Sequence, residues 1–166
     1  MSRDNLHTYL NDHLSGSVAA VELLKHLIEL HRGTETELRL EHLLAEVEED
    51  QAVLRGLLER GGGKESRLRK ATAWLGEKVA QAKLKLDDIG DDQLRILEAL
   101  EALELGIQGK LSLWRALAAV ALPELGSVDF LRLQHRASQQ FELVDRERLQ
   151  AARAALASDE GQLKEG

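Results

Sequence analysis

Four long stretches of this chain carry an apolar residue at every third or fourth position, which is the spacing of one face of an α-helix. Segments rich in glycine or aspartate separate the stretches, and the single proline, Pro123, lies between the last two. Alanine, leucine, glutamate and arginine are abundant, and these side chains lose little rotamer freedom in a helix. The pattern predicts an all-α protein.

The breaks in this pattern predict five helices. We expect them at about 5–32, 35–60, 66–86, 92–121 and 128–157. Two hairpins of long helices, joined by a segment that contains the shorter third helix, match a ferritin-like antiparallel four-helix bundle with a long crossover containing a fifth, shorter helix. The alternative is a five-helix up-and-down bundle, in which the crossover helix is an equal member of the core.

Length, charge and cysteine content narrow the class of protein. With 166 residues the chain has the usual size of one domain, so we expect 1–166 to form a single helical bundle. It has 0 cysteines, which excludes disulfides and thiolate chemistry and favours the cytoplasm. No run reaches the roughly 18 apolar residues of a spanning helix, so we expect no membrane. A net charge of -7 repels phosphate backbones, so nucleic acid is not an expected partner.

Counting from the two hairpin turns places five polar residues at one height of the expected core and a sixth, Arg148, one turn further on. They are Ser17, Asp50, Gln51, Glu104, Asp145 and Arg148. In ferritin-like di-iron proteins such a layer holds Glu and Glu-x-x-His ligands. Here a serine replaces one Glu, and Arg148 puts a permanent cation where an imidazole would bind the metal.

We interpret this layer as a vestigial polar core without a metal. In this interpretation Arg148 takes the place of the metal charge and pairs with Glu104, Asp145 and Asp50, because unpaired buried carboxylates are costly. Two alternatives stay open. Either some of these side chains lie at the solvent-exposed rim, or the layer still binds a metal.

Three residues are candidates for an interface. Gly106 and Gly109 belong to a small-residue face that predicts close helix approach, either within the bundle or to a partner helix or a second copy of the chain. Trp74 lies off the main stripe of the crossover helix, where it would cap the bundle edge or anchor an interface. No phosphate loop, zinc-protease motif or nucleophile elbow is present, so the sequence gives no basis for hydrolase chemistry.

Three segments resemble an uncharacterised bacterial family of ferritin-like helical proteins. They are Leu6–Leu14 (LHTYLNDHL), Ala73–Val79 (AWLGEKV) and Leu105–Trp114 (LGIQGKLSLW). The resemblance implies a bacterial cytoplasmic protein with the bundle fold. It transfers no catalytic residue, because neither Glu-x-x-His motif stands at the matching positions.

These observations favour a non-catalytic bundle that acts in protein interaction or assembly, with a protein partner such as a second copy in a homodimer and with no cofactor. A first alternative is a divergent ferritin-like oxidoreductase or metal-storage protein that uses iron or manganese. A second alternative is a carrier of a small apolar ligand, which would need a cavity lined by Leu and Ala between the helices.

Overall fold

A computed structural model describes residues 2–61, 92–120 and 122–157 of the chain. Within these ranges it contains four α-helices, one short 3₁₀ helix and no strand, which confirms the all-α prediction. The elements are α1 (Ser2–Leu30), α2 (Glu35–Arg60), α3 (Gln93–Ala119), the 3₁₀ helix Pro123–Leu125 and α4 (Phe130–Leu156). The predicted helix at 66–86, with Trp74, lies outside the described residues.

The connection between α1 and α2 follows from its sequence. Gly33 has φ 83°, a left-handed conformation in which a side chain would be strained. Thr34 caps α2 because its Oγ1 accepts a hydrogen bond from the backbone N–H of Glu37 at 3.3 Å. In return the Glu37 carboxylate accepts from the backbone N–H of Gly33 at 2.6 Å. These bonds end one helix and begin the next within a few residues.

Aspartates cap the other two long helices. Asp92 accepts from the N–H of Leu94 at 3.0 Å at the start of α3. Asp129 accepts from the N–H of Arg132 at 2.9 Å at the start of α4. Between them Pro123 opens the 3₁₀ helix, and Gly126, with φ 61°, closes it. The chain therefore leaves α3 and enters α4 through a short, well-specified connection.

The helices pack pairwise around two groups of buried apolar side chains. Helix α1 lies against α2, α3 lies against α4, and α1 also contacts α3. One group includes Leu24, Leu43, Leu100, Leu103 and Val144. The other includes Leu14, Leu54, Trp114, Leu117 and Leu133. This arrangement is consistent with a helical bundle. None of the described helices has an apolar stretch long enough to cross a bilayer.

Candidate functional site

A cluster of charged and amide side chains lies between the two apolar groups. Asp50 of α2 stands between Val47 and Leu54, each of which belongs to a different group. Lys110 of α3 and Gln140 of α4 occupy the corresponding positions of their helices. The bundle interior therefore changes from apolar to ionic and back along its length.

Asp50 is the centre of this cluster, and its side chain is only 2% exposed. The ammonium of Lys110 donates to Asp50 Oδ2 at 2.6 Å, and the guanidinium of Arg136 donates to Asp50 Oδ1. Gln140 accepts from Lys110 through its side-chain oxygen and donates to the Glu46 carboxylate at 2.9 Å through its nitrogen. Helices α2, α3 and α4 are thus joined by one continuous polar network.

The network contains two buried or half-buried cations and one buried carboxylate. Burial lowers the pKa of Lys110, and the charge of Arg136 adds to this, while the pull of Asp50 and Glu46 opposes it. Burial also works against the charged form of Arg136, but hydrogen bonds and attraction from Asp50 and Glu49 outweigh it and raise its pKa. Two further carboxylates lie closer to solvent than Asp50, since the Glu46 side chain is 28% exposed and that of Glu49 is 68% exposed.

A pocket of about 210 Å³ opens beside this network, between α1, α2 and α3. Most of its wall is apolar. The aliphatic wall residues are Ala20, Val47, Leu54, Leu103, Ile107 and Leu113. Asp50 and Lys110 form a polar part of the same wall. A partly enclosed apolar space with a few polar groups is the usual form of a small-molecule site.

Glycines line part of this pocket on both sides. Gly16 of α1 and Gly106 and Gly109 of α3 are among its wall residues. A Cβ atom built on any of the three meets no atom within 4 Å in the described part of the chain. No described helix therefore approaches Gly106 or Gly109 closely, and the use of these glycines at an interface stays a prediction. The glycines border open space instead.

Trp114 forms another part of the wall and is fully buried, with 0% exposure. Its ring packs against Phe130 with the centroids 6.2 Å apart. Its indole Nε1–H finds no hydrogen-bond acceptor among the residues that the structure describes. A buried donor without an acceptor costs about 1–3 kcal/mol, so such groups are rare unless water or a ligand satisfies them.

The predicted polar layer divides into two groups. On α1 and α2, Gln51 donates to Ser17 Oγ at 3.0 Å, and the Ser17 hydroxyl donates to the backbone oxygen of Leu14 at 2.7 Å. Both Ser17 and Gln51 line the pocket together with Asp50. Counting from the turn therefore placed the side chains of these two helices at the correct height.

The second group lies on α3 and α4. Arg148 contacts Asp145 at 2.6 Å and Glu104 at 3.3 Å, as its register led us to expect. It does not pair with Asp50, whose two oxygens are taken by Lys110 and Arg136 instead. The expected contact of Arg148 with Asp50 is therefore wrong, because different cations pair with the carboxylates of the two groups.

The residues at the height of a di-iron centre do not fit a metal ion. Both carboxylate oxygens of Asp50 are bound by cations, and Arg148 stands among Glu104 and Asp145. In the described ranges no group of three or more histidine, aspartate or glutamate side chains is arranged to hold a metal. A cation already bound to each carboxylate would repel a divalent ion.

Sequence analysis missed Lys110, Arg136 and Gln140, although a signal for one of them is present. Gln140 continues the three- and four-residue spacing of the buried α4 residues. That series is Leu133, Ala137, Gln140, Val144, Glu147 and Ala151. Glu147, the other polar member, accepts from Arg39 at 2.6 Å and Thr36 at 2.9 Å. Polar residues on a core stripe indicate internal ion pairs or hydrogen bonds.

Among the other pocket residues, His13 has a chemical feature of interest. Partial burial lowers its pKa, and attraction from the nearby Asp12 carboxylate opposes this. The ring packs edge to face on Tyr9 with the centroids 4.7 Å apart. Its imidazole is therefore neutral near pH 7, when one nitrogen accepts and the other donates hydrogen bonds.

Known proteins give no guide to the use of this site. No family model, no curated protein and no solved structure matches the chain. The function therefore has to be inferred from the geometry of the pocket and the adjoining ionic network.

Proposed function

We propose that this protein binds a small, mainly apolar molecule in the pocket between α1, α2 and α3. The observation that carries the proposal is the pocket itself, whose wall is mainly apolar and includes a few polar side chains. A well-packed bundle would close such a space, because helices gain dispersion energy and bury apolar area when they approach.

The volume of the pocket limits the size of the ligand. An apolar cavity of about 150 Å³ holds a benzene molecule. At about 210 Å³ the pocket has room for an aromatic ring or a branched chain with one short substituent. We therefore propose a ligand with about ten non-hydrogen atoms, each contributing up to about 1.5 kcal/mol in the most favourable cases.

The glycines support the proposal from a second direction. Glycine inside a helix costs about 0.5–1 kcal/mol relative to alanine, yet Gly16, Gly106 and Gly109 all lie within helices and all border the pocket. No described neighbour requires the absence of a side chain at these positions. The missing side chains keep the pocket open, which is a physical reason for glycine at all three positions.

A titration with ethylbenzene tests the proposal. The chain contains 2 tryptophans, so its NMR spectrum has two indole N–H signals, and the W74F variant identifies the one that belongs to Trp114. We expect ethylbenzene to shift the Trp114 signal in a saturable manner. In G106L the leucine side chain enters the pocket, and the affinity should fall at least tenfold.

The matched control is G56L. Gly56 also lies within a helix with no described atom within 4 Å of a built Cβ, but it is not part of the pocket wall. Both substitutions raise helix propensity equally, so G56L should bind ethylbenzene like the wild type. Absence of a saturable shift in the wild type, or equal affinities of G106L and G56L, would show that the pocket does not bind ligand.

We also infer that the helices have the ferritin-like antiparallel arrangement with a long crossover. The short connections after α1 and α3 support this arrangement, since they return the chain along the helix it has just left. The contact of α1 with α3 supports the joining of two hairpins into one bundle. Bacterial origin, a cytoplasmic location and action through a protein partner or homodimer stay predictions.

A further inference from the structure

His13 of α1 lines the pocket and carries an imidazole ring, the side chain whose charge changes near neutral pH. The ring is partly buried and packs edge to face on Tyr9. In the described part of the chain no residue accepts a hydrogen bond from its ring nitrogens. A positive charge on this ring is therefore stabilised by water in the pocket and by the neighbouring Asp12 carboxylate.

The charged groups that share the wall with His13 come from all three helices. Asp12 precedes it on α1, Asp50 lies on α2 and Lys110 lies on α3. Asp50 and Lys110 contact each other at 2.6 Å, so their opposite charges largely cancel at His13. Asp12 attracts a charged ring, but solvent screens this attraction because Asp12 is exposed. Burial therefore has the larger effect and lowers the pKa of His13.

An apolar ligand in the pocket takes the place of the water beside His13. Such a ligand accepts no hydrogen bond from the ring and lowers the local polarity. Both effects disfavour the charged form of a histidine more than the neutral form. The ligand therefore binds the neutral form more tightly, and binding releases a proton wherever the ring of the free protein is charged.

We propose that the pocket holds its apolar ligand while His13 is neutral and releases the ligand when His13 becomes protonated. This inference rests on the proposed function, because it describes how the same site is regulated. The affinity is complete above the ordinary histidine pKa of about 6.5 and falls as pH drops through the lower pKa of the folded protein. An anionic ligand at His13 would behave in the opposite way, because a charged ring attracts it.

Titrations of the wild type with ethylbenzene at pH 7 and pH 5 measure this coupling. Below the pKa of the free protein, the affinity of a fully coupled site falls about tenfold for each pH unit. Burial moves the pKa of His13 below its ordinary value. We therefore expect the dissociation constant to be about three to ten times larger at pH 5 than at pH 7. Circular dichroism at both pH values checks that the protein is folded.

The variant H13Q assigns the pH dependence to His13, because glutamine is polar and does not titrate. Its affinity for ethylbenzene should be the same at pH 7 and pH 5. The comparison is needed because burial also lowers the pKa of Lys110, and an apolar ligand opposes the charge of that ammonium in the same way. H135Q is the matched control. His135 is exposed on α4, outside the described pocket wall, so H135Q should keep the pH dependence of the wild type.

A second measurement on the wild type needs no variant. The NMR signals of the His13 ring protons can be assigned through their contact with Tyr9, the 1 tyrosine of the chain. Their pH titration gives the pKa of His13 in the free protein and in the protein saturated with ethylbenzene. We expect a lower pKa in the complex, because proton binding and ligand binding oppose each other equally in both directions.

The outcomes distinguish this inference from the proposed function. If ethylbenzene does not bind at pH 7, the proposed function fails and this inference fails with it. If ethylbenzene binds equally at pH 7 and pH 5, the pocket stands and the coupling is wrong. If H13Q keeps the full pH dependence, the coupling belongs to another group and the role of His13 is overturned. An unchanged pKa of His13 in the complex also overturns it, even where H13Q does not fold.

Discussion

The buried carboxylate of Asp50 provides the sharpest test of the ionic network, through the variant D50N. The substitution keeps the shape of the side chain and removes its charge. Lys110 and Arg136 then lose the one buried anion that contacts both of them. Removing one partner of a buried ion pair costs about 3–5 kcal/mol. We expect D50N to lower the free energy of unfolding by about 3 kcal/mol, near the lower end of this range, because Arg136 keeps its contact with Glu49.

Urea unfolding followed by circular dichroism measures this loss. The free energy of unfolding falls by about 1–3 kcal/mol per molar urea, so the D50N midpoint should be about 1–3 M lower than that of the wild type. E49Q is the matched control, since Glu49 contacts the same Arg136 at 2.6 Å but is exposed. An exposed pair contributes about 0–1 kcal/mol. A D50N midpoint equal to the wild type, or an equal loss in E49Q, would refute the view that burial makes this network strong.

Two further predictions concern single positions near the same helices. Partial burial lowers the pKa of His13, so the folded state favours the neutral ring. The stability that the neutral ring contributes is fully present above the unfolded-state pKa of about 6.5 and is lost as pH falls below that value. H13Q should therefore lose less stability than the wild type between about pH 7 and pH 5 in urea titrations, and parallel pH curves would contradict this. Glycine-to-alanine substitutions should change the free energy of unfolding in opposite directions at two sites. G33A places a Cβ at φ 83° and should lower this stability by about 1 kcal/mol. G56A lies in a helix with free space around the new Cβ and should raise it by about 0.5–1 kcal/mol. Melting temperatures of the two variants on the same side of the wild type would contradict this reasoning.

The fold was largely predictable because it depends on the spacing of apolar residues. Helix α2 was expected at 35–60 and runs from Glu35 to Arg60, since Thr34 and the glycines after Arg60 are strong local signals. The start of α1 was placed too late. It begins at Ser2, where the polar sequence gives no apolar residue to mark the helix. Helix ends without a capping signal are the least certain part of a pattern.

The candidate site was predictable only in part. Register alone placed Gln51 opposite Ser17, because both positions follow from counting turns of a regular helix. The partners of Asp50 could not be found in this way. Lys110 and Arg136 have long, flexible side chains that reach a buried anion from positions near the edge of a helix face.

The pocket was beyond the reach of sequence reasoning. Gly106 and Gly109 make a small-residue face whether the neighbouring helix lies close or far away. The distance between helices is set by all the side chains in the contact, including those of α1. An open pocket and a tight helix crossing therefore have the same local sequence signal, and only the packed structure distinguishes them.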